Sequence, residues 1–174
     1  MADLNVLSLV EQKVPCTESV RRWLLFSRDI RSVRTHLDFV VDGVPLREHV
    51  RRWSGLDEPP DDVSRLTGFD PEGAVEQIDR LRGLAPHQYW GRAWLLFCSF
   101  CADEGCGGLT ADLAIDGDQV VWSNFGWDTD YELDDDEEPV RIENSARFIF
   151  DRIQYDEVLL EARDRFIRPT GAIK

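Results

Sequence analysis

Residues 92–125, RAWLLFCSFCADEGCGGLTADLAIDGDQVVWSNF, read as three strands in immediate succession. Arg92 to Phe97 is a nearly unbroken apolar run, as expected for a strand covered on both faces. A Cys- and Gly-rich turn follows from Cys98 to Gly108, and a second strand runs from Leu109 to Ile115. Asp116-Gly117 is a hairpin turn, after which Val120 to Phe125 returns as the third strand. Parallel pairing needs a crossover of a dozen or more residues, so strands this close imply an antiparallel meander.

Working outward, helices flank the meander. Asp70 is a suitable N-cap, Pro71 fits the first helical position and Glu72 favours the positive helix end. Ala74, Val75, Ile78 and Leu81 then make one apolar stripe that Gly83 closes, predicting a helix from Pro71 to Arg82. From Ile153 onward, Val158, Leu159, Ala162 and Phe166 predict a C-terminal amphipathic helix whose stripe needs a sheet to cover. Ala146 to Phe150 adds a further strand. Nearer the N-terminus, Val33, Thr35, Leu37 and Phe39 alternate with Arg34, His36 and Asp38, the pattern of a half-buried strand with its polar face in solvent. Asp42-Gly43 turns the chain and Pro45 starts a short helix from Leu46 to Trp53, on which His49 reads as exposed. Residues 56–64, with Pro59 and Pro60 among four acids, read as a solvated linker. The segment Val20 to Phe26 fits either a buried strand or a short helix beginning near Thr17. The fold expected is α+β: an antiparallel β-meander sheet packed by a few helices, with residues 1–174 forming one domain.

Composition narrows the function. The chain is 43% hydrophobic and 10% aromatic, enough to fill a core without disulfides. Its 34 acids against 20 bases leave a net charge of −14, the wrong sign for nucleic acid or an anionic membrane surface. The longest apolar run, Ala93 to Cys98, is far below the roughly 20 residues that span a bilayer. Residues 1–10 carry Asp3 and lead into Glu11 and Lys13 with no cleavage pattern, so no secretion signal is read there and a cytoplasmic location is expected. In that compartment four cysteines read as reduced thiols or metal ligands.

Cys98, Cys101 and Cys106 form a C-x2-C-x4-C turn. Such spacing suits three thiolates about 2.3 Å from one zinc ion. No fourth ligand is identified among His87, His36, Cys16 and Asp103. Redox chemistry fits less well, because Asp103, Glu104 and the following glycines raise a thiol pKa where a reactive C-x-x-C needs it lowered. The plain alternative is that Cys98 is a small buried residue ending a core strand and the glycines build an irregular turn.

Residues 128–138, DTDYELDDDEE, hold eight acids and no base, more than half of the net charge in eleven residues. A calcium loop is excluded: Leu133 stands where the turn needs glycine, and Pro139 where a bidentate Glu belongs. The run reads either as a self-repelling surface loop or as an electrostatic lure for a basic protein partner. In the second reading Trp127, Asp128, Asp130, Tyr131, Glu132, Asp134, Asp135 and Asp136 bind that partner, with Trp122 and Phe125 as further anchors or as core residues. Acidic inhibitors of cationic nucleases act in this way. No nucleophile elbow, phosphate loop or H-E-x-x-H is present, and the three histidines, at 36, 49 and 87, belong to no recognisable catalytic set.

The block CSFCADEGCGGLTADL, followed by VVWSNFGWDTDYE, resembles the central part of a bacterial family frequent in actinobacteria, patterned as C-x2-C-x4-C-G, a strand and V-x-W-x-x-F-x-W. Residues 38–46, DFVVDGVPL, resemble that family's strand, D-G turn and helix start. The likeness covers about a third of the chain. Some members carry an oxidoreductase label without an established activity, so the resemblance implies the shared turn and assigns no catalytic residue. Ala102 replaces the family's usual glycine after the second cysteine. Two functions are therefore expected in order: a non-enzymatic acidic binding protein of the immunity or inhibitor type, and a thiol or zinc protein using Cys98, Cys101 and Cys106. No cofactor beyond a structural zinc is expected.

Overall fold

A computed structural model describes residues 4–21, 27–87, 91–99, 104–128 and 140–167. The fold is α+β, with antiparallel strand pairing in both of its sheets. In chain order the elements are β1 (Leu7–Arg21), β2 (Ser27–Val41), β3 (Val44–Pro45), α1 (Leu46–Ser54), α2 (Pro71–Leu81) and β4 (Ala93–Phe97). After a single 3-10 turn at Glu104–Cys106 come β5 (Gly108–Asp116), β6 (Gln119–Asp128), β7 (Val140–Arg141), β8 (Phe148–Asp151) and α3 (Arg152–Ile167).

The predicted meander is present as β4-β5-β6, extended by β7 and β8, which pair with opposite ends of β6. Asp70 caps α2 by accepting from the Gly73 amide at 3.0 Å, and Pro71 opens the helix as its sequence requires. Gly83 leaves α2 at φ +73°, a conformation other residues adopt only with strain. Gly108 is needed for a different reason: a Cβ there would run into the Leu96 carbonyl.

One β-bulge decides which aromatic side chains reach the core. Thr110 pairs with Gly126 but Asp112 pairs with Ser123, so β6 carries one residue more than β5 across this stretch. Asn124, at φ +50°, absorbs the excess. The alternation therefore shifts phase, and both Trp122 and Phe125 are fully buried although three residues apart. Trp122 lies against Phe39, Phe150 and Tyr155 at centroid distances of 5.6, 5.1 and 6.0 Å. Phe125 packs on Trp53 of α1 and on Phe148. Both are core residues, which resolves their reading against a partner contact.

The two sheets are joined into a closed hydrogen-bonded circuit. Val63 and Phe97 exchange backbone bonds of 2.8 and 2.7 Å at the free edge of β4, and Leu37 of β2 donates to Leu66 at 2.8 Å. On the other side Asn5 pairs in parallel with β8, donating to Ile149 at 2.7 Å, while its side chain accepts from the Ile149 amide at 2.8 Å. Residues 63–67, which overlap the end of the expected linker 56–64, thus take part in strand pairing, which two prolines upstream had disguised.

The β1–β2 hairpin resolves the N-terminal ambiguity in favour of strand for Val20 and Arg21; residues 22–26 lie outside the described residues. Each strand has 15 residues, about 50 Å at ~3.3 Å per residue. Among the described residues its root enters the core, through Leu7, Leu37, Phe39 and Val41. Because Asn5 runs parallel to β8, and β8 antiparallel to β6, β1 sets off away from the end at which β4 and β6 finish.

The polar face of β2 departs from expectation. His36 and Asp38 are buried, since α1 and residues 64–67 lie over them. Arg47 holds the Asp38 carboxylate through Nε and Nη2 at 3.1 and 2.8 Å. His36 Nδ1 lies 3.1 Å from the Ser64 carbonyl oxygen, a contact that needs the proton on Nδ1. Burial, helped by the Arg34 and Arg47 charges, holds the His36 pKa below its ordinary 6.5, against the pull of Ser64 and Asp38. A depressed pKa means that the unfolded chain takes up this proton first as the pH falls. The stability that the neutral ring contributes is complete above pH 6.5 and is lost as the pH drops toward the folded value. His36→Gln should therefore flatten the loss of stability between about pH 7 and pH 5, measured as urea midpoints at the two values. His49 is likewise not exposed: it packs on Trp53 and Phe148 at 5.5 and 5.1 Å.

Candidate functional site

Strand register gathers the sequence motifs at one end of the five-stranded sheet. Phe97 pairs with Gly108, Gly108 with Asp128, and Trp127 with Val140. The cysteine turn and the acidic run therefore leave and re-enter the sheet at neighbouring positions. Val63 pairs antiparallel with Phe97, so the acidic linker before it, with Asp57, Glu58, Asp61 and Asp62, arrives at the same end. In sequence these three segments bring 14 acids and no base. Burial, reinforced by neighbouring Asp61, raises the Asp62 pKa, with Arg47 acting against the shift.

Beneath this end lies a buried ionic cluster. Arg92, just before β4, reaches across the sheet on the face opposite Trp122. Its Nε donates to Asp128 at 3.1 Å and to Thr110 Oγ1 at 3.0 Å, and its remaining nitrogens contact the Asp112 carboxylate and the Asn124 carbonyl. Thr110 also donates to Asp128. Arg141 Nη1 lies 3.3 Å from both Asp128 oxygens, and Asn124 Nδ2 donates to Asp112 at 2.6 Å. Burial lowers the Arg92 pKa, and so does Arg141; Asp112 and Asp128 oppose the change. Against the cluster opens a groove of about 500 Å³ lined by Arg92, Asp112, Asn124, Arg141, Ile142, Glu143 and Ser145.

These positions correct part of the expected partner-binding set. Asp128 is only 3% exposed and is held by two arginines, so its charge faces inward and is unavailable to a partner. Trp127 is half-buried and packs against the core. Asp130, Tyr131, Glu132, Asp134, Asp135 and Asp136 lie outside the described residues. Cys98 is half-buried and Cys106 exposed, while Cys101 is outside the described residues. Among the described residues no group of three or more His, Cys, Asp or Glu side chains is arranged to hold a metal ion. No described helix is long and apolar enough to cross a membrane.

No protein family, curated sequence or solved structure matches the chain. Its chemistry has to be argued from these residues. The groove lining pairs two guanidinium groups, Arg92 and Arg141, with two carboxylates, Asp112 and Glu143, so it carries no surplus of either sign.

Sequence reading missed the Arg92 cluster altogether. Its contacting members stand 12 to 36 positions apart along the chain, and no local spacing rule links them.

Proposed function

We propose that the chain is an acidic binding protein of the inhibitor or immunity type, which captures a basic protein with the end of the sheet where its acidic segments converge. The observation that supports this reading is the register Val63–Phe97–Gly108–Asp128, which sets the strand ends that flank the acidic stretches of the sequence side by side at one end of the sheet. Carboxylates concentrated in this way raise the encounter rate with a cation by about 10- to 1000-fold at low salt. Their flanking apolar residues, Leu56 and Val140, are exposed and available for short-range contact. Cytoplasmic location belongs to the same proposal.

The test compares the immobilised chain with a variant carrying Asp134→Asn, Asp135→Asn and Asp136→Asn, both exposed to lysate of the native host. A single basic protein should be captured saturably by the first. Against that protein, once purified, the variant should associate about tenfold more slowly at low salt and with a flatter salt dependence. Equal association rates at every salt concentration would remove the acidic run from the function.

A second reading, a structural zinc or thiol protein using Cys98, Cys101 and Cys106, draws support from the Phe97–Gly108 pair, which brings the two limbs of the cysteine turn together. Metal analysis and thiol titration of the purified chain separate it from the first.

A further inference from the structure

We infer that the groove beside the Arg92 cluster is a binding site for a small zwitterion of the amino-acid type, its carboxylate taken by Arg141 and its ammonium group by Glu143 and Asp112. These side chains all belong to the described residues and to none of the acidic segments.

The site is built across three strands in register. Thr110 of β5 pairs with Gly126 of β6, and Gly126 with Arg141 of β7. A Cβ at Gly126 would stand 2.5 Å from the Val140 carbonyl oxygen and 2.7 Å from Arg141 Nη1, so the missing side chain is what lets the guanidinium lie over β6. Two positions earlier the bulge residue Asn124, at φ +50°, aims its carbonyl at Arg92 and its side-chain amide at Asp112. Bulges of this kind recur where a sheet re-aims a side chain toward a site.

The lining separates into support and available groups. Each nitrogen of Arg92 is engaged with a protein oxygen and the side chain is 6% exposed, so Arg92 holds Asp112 and Asp128 in place. Arg141 differs: its side chain is 37% exposed and only Nη1 is engaged, with Asp128. Among the described residues its Nε and Nη2 have no partner, and these two form the edge of a guanidinium that grips a carboxylate bidentately. Glu143 is exposed and has no ion pair among the described residues. Asp112 stays 47% exposed although Arg92 and Asn124 each hold one of its oxygens.

An open guanidinium edge and an open carboxylate in one groove select for both signs at once. An anion alone is repelled by Glu143 and a cation alone by Arg141, whereas a molecule carrying one charge of each sign satisfies both. A phosphate, with about −1.5 to −2 charge, would leave part of it uncompensated in a lining of no net charge. The volume of about 500 Å³ lies within the range of small-molecule sites. It admits a free amino acid or a short peptide, whose two termini carry the same pair of charges.

The experiment is an amide-resolved NMR titration of the full chain with L-serine, L-glutamine and alanyl-alanine. The amides of Asn124, Ile142, Glu143 and Ser145 should shift saturably. N-acetyl-serine, which lacks the ammonium group, and serine methyl ester, which lacks the carboxylate, should each bind about tenfold or more weakly than serine. Glu143→Gln should weaken serine by a similar factor and leave N-acetyl-serine no weaker; Arg141→Gln should weaken serine and leave the methyl ester no weaker. This crossed pattern distinguishes a lost contact from lost folding, which would weaken every compound alike. Tighter binding of the dipeptide than of either amino acid assigns peptide termini as the source of the two charges, and the reverse assigns a free amino acid. Absence of saturable shifts up to about 10 mM of all three zwitterions overturns the inference. So does equal binding of serine and its two singly charged analogues, or serine binding unaltered by both variants.

Discussion

Arg92→Met is expected to lower the unfolding free energy by about 3–5 kcal/mol, the usual cost of leaving a buried charge without its partner. Arg92 is 5% exposed and Asp128 3%, so the pair is largely withdrawn from water. Arg141 would remain as the Asp128 counterion, but at 3.3 Å and on a side chain 37% exposed it is the weaker of the two. Thr110 and the Asn124 carbonyl would also lose a donor, which loosens the sheet beside the bulge. Denaturant midpoints of wild type and variant measure the effect. Adding Asp128→Leu to Arg92→Met should recover part of the loss, because a buried pair replaced as a unit by apolar groups is tolerated far better than one broken. A loss below about 1 kcal/mol for Arg92→Met would place the cluster among ion pairs of negligible weight.

The second large effect is expected at Trp122→Ala, again about 3–5 kcal/mol, or a fall in melting temperature of about 10 °C for a domain of this size. Trp122 is fully buried and meets β2, β8 and α3 through Phe39, Phe150 and Tyr155. Its Nε1 donates to the Tyr155 hydroxyl at 3.2 Å, and that hydroxyl donates to the Leu81 carbonyl at 3.1 Å, so one side chain also ties α3 to the end of α2. Trp122→Phe keeps most of the packing and breaks only this relay, and should cost about 1–2 kcal/mol. Calorimetry of the two variants separates the contribution of volume from that of the hydrogen bond.

Local signals carried the fold well where the physics is local. The Asp70-Pro71 start, the Asp116-Gly117 turn and the stripe Leu159, Ala162 on α3 each depend on neighbours within a few residues, and each is found. In the β1–β2 hairpin the alternation of Val33 to Phe39 marks part of β2, whereas Val20 to Phe26 is ambiguous because it has no alternation to mark a strand. Polar alternation in β2 says that its two faces differ, not that the polar face meets water. His36 and Asp38 are buried because Arg47 and Ser64, supplied from elsewhere, satisfy them. Asp128 taught the same lesson at the candidate site. A run of acids in sequence looks uniform, yet its first member is consumed by an arginine 36 positions earlier. What sequence did convey correctly is the surplus itself, since charge counts need no geometry.

The closed circuit of strands also bears on how the molecule comes undone. Three seams, Asn5–Ile149, Leu37–Leu66 and Val63–Phe97, are each held by one or two backbone bonds, whereas the pairs β1–β2 and β5–β6 are held along their whole length. Thermal fluctuation will part the belt at its buckles before it tears the cloth, so amide protons at those few positions should exchange with solvent ahead of the rest.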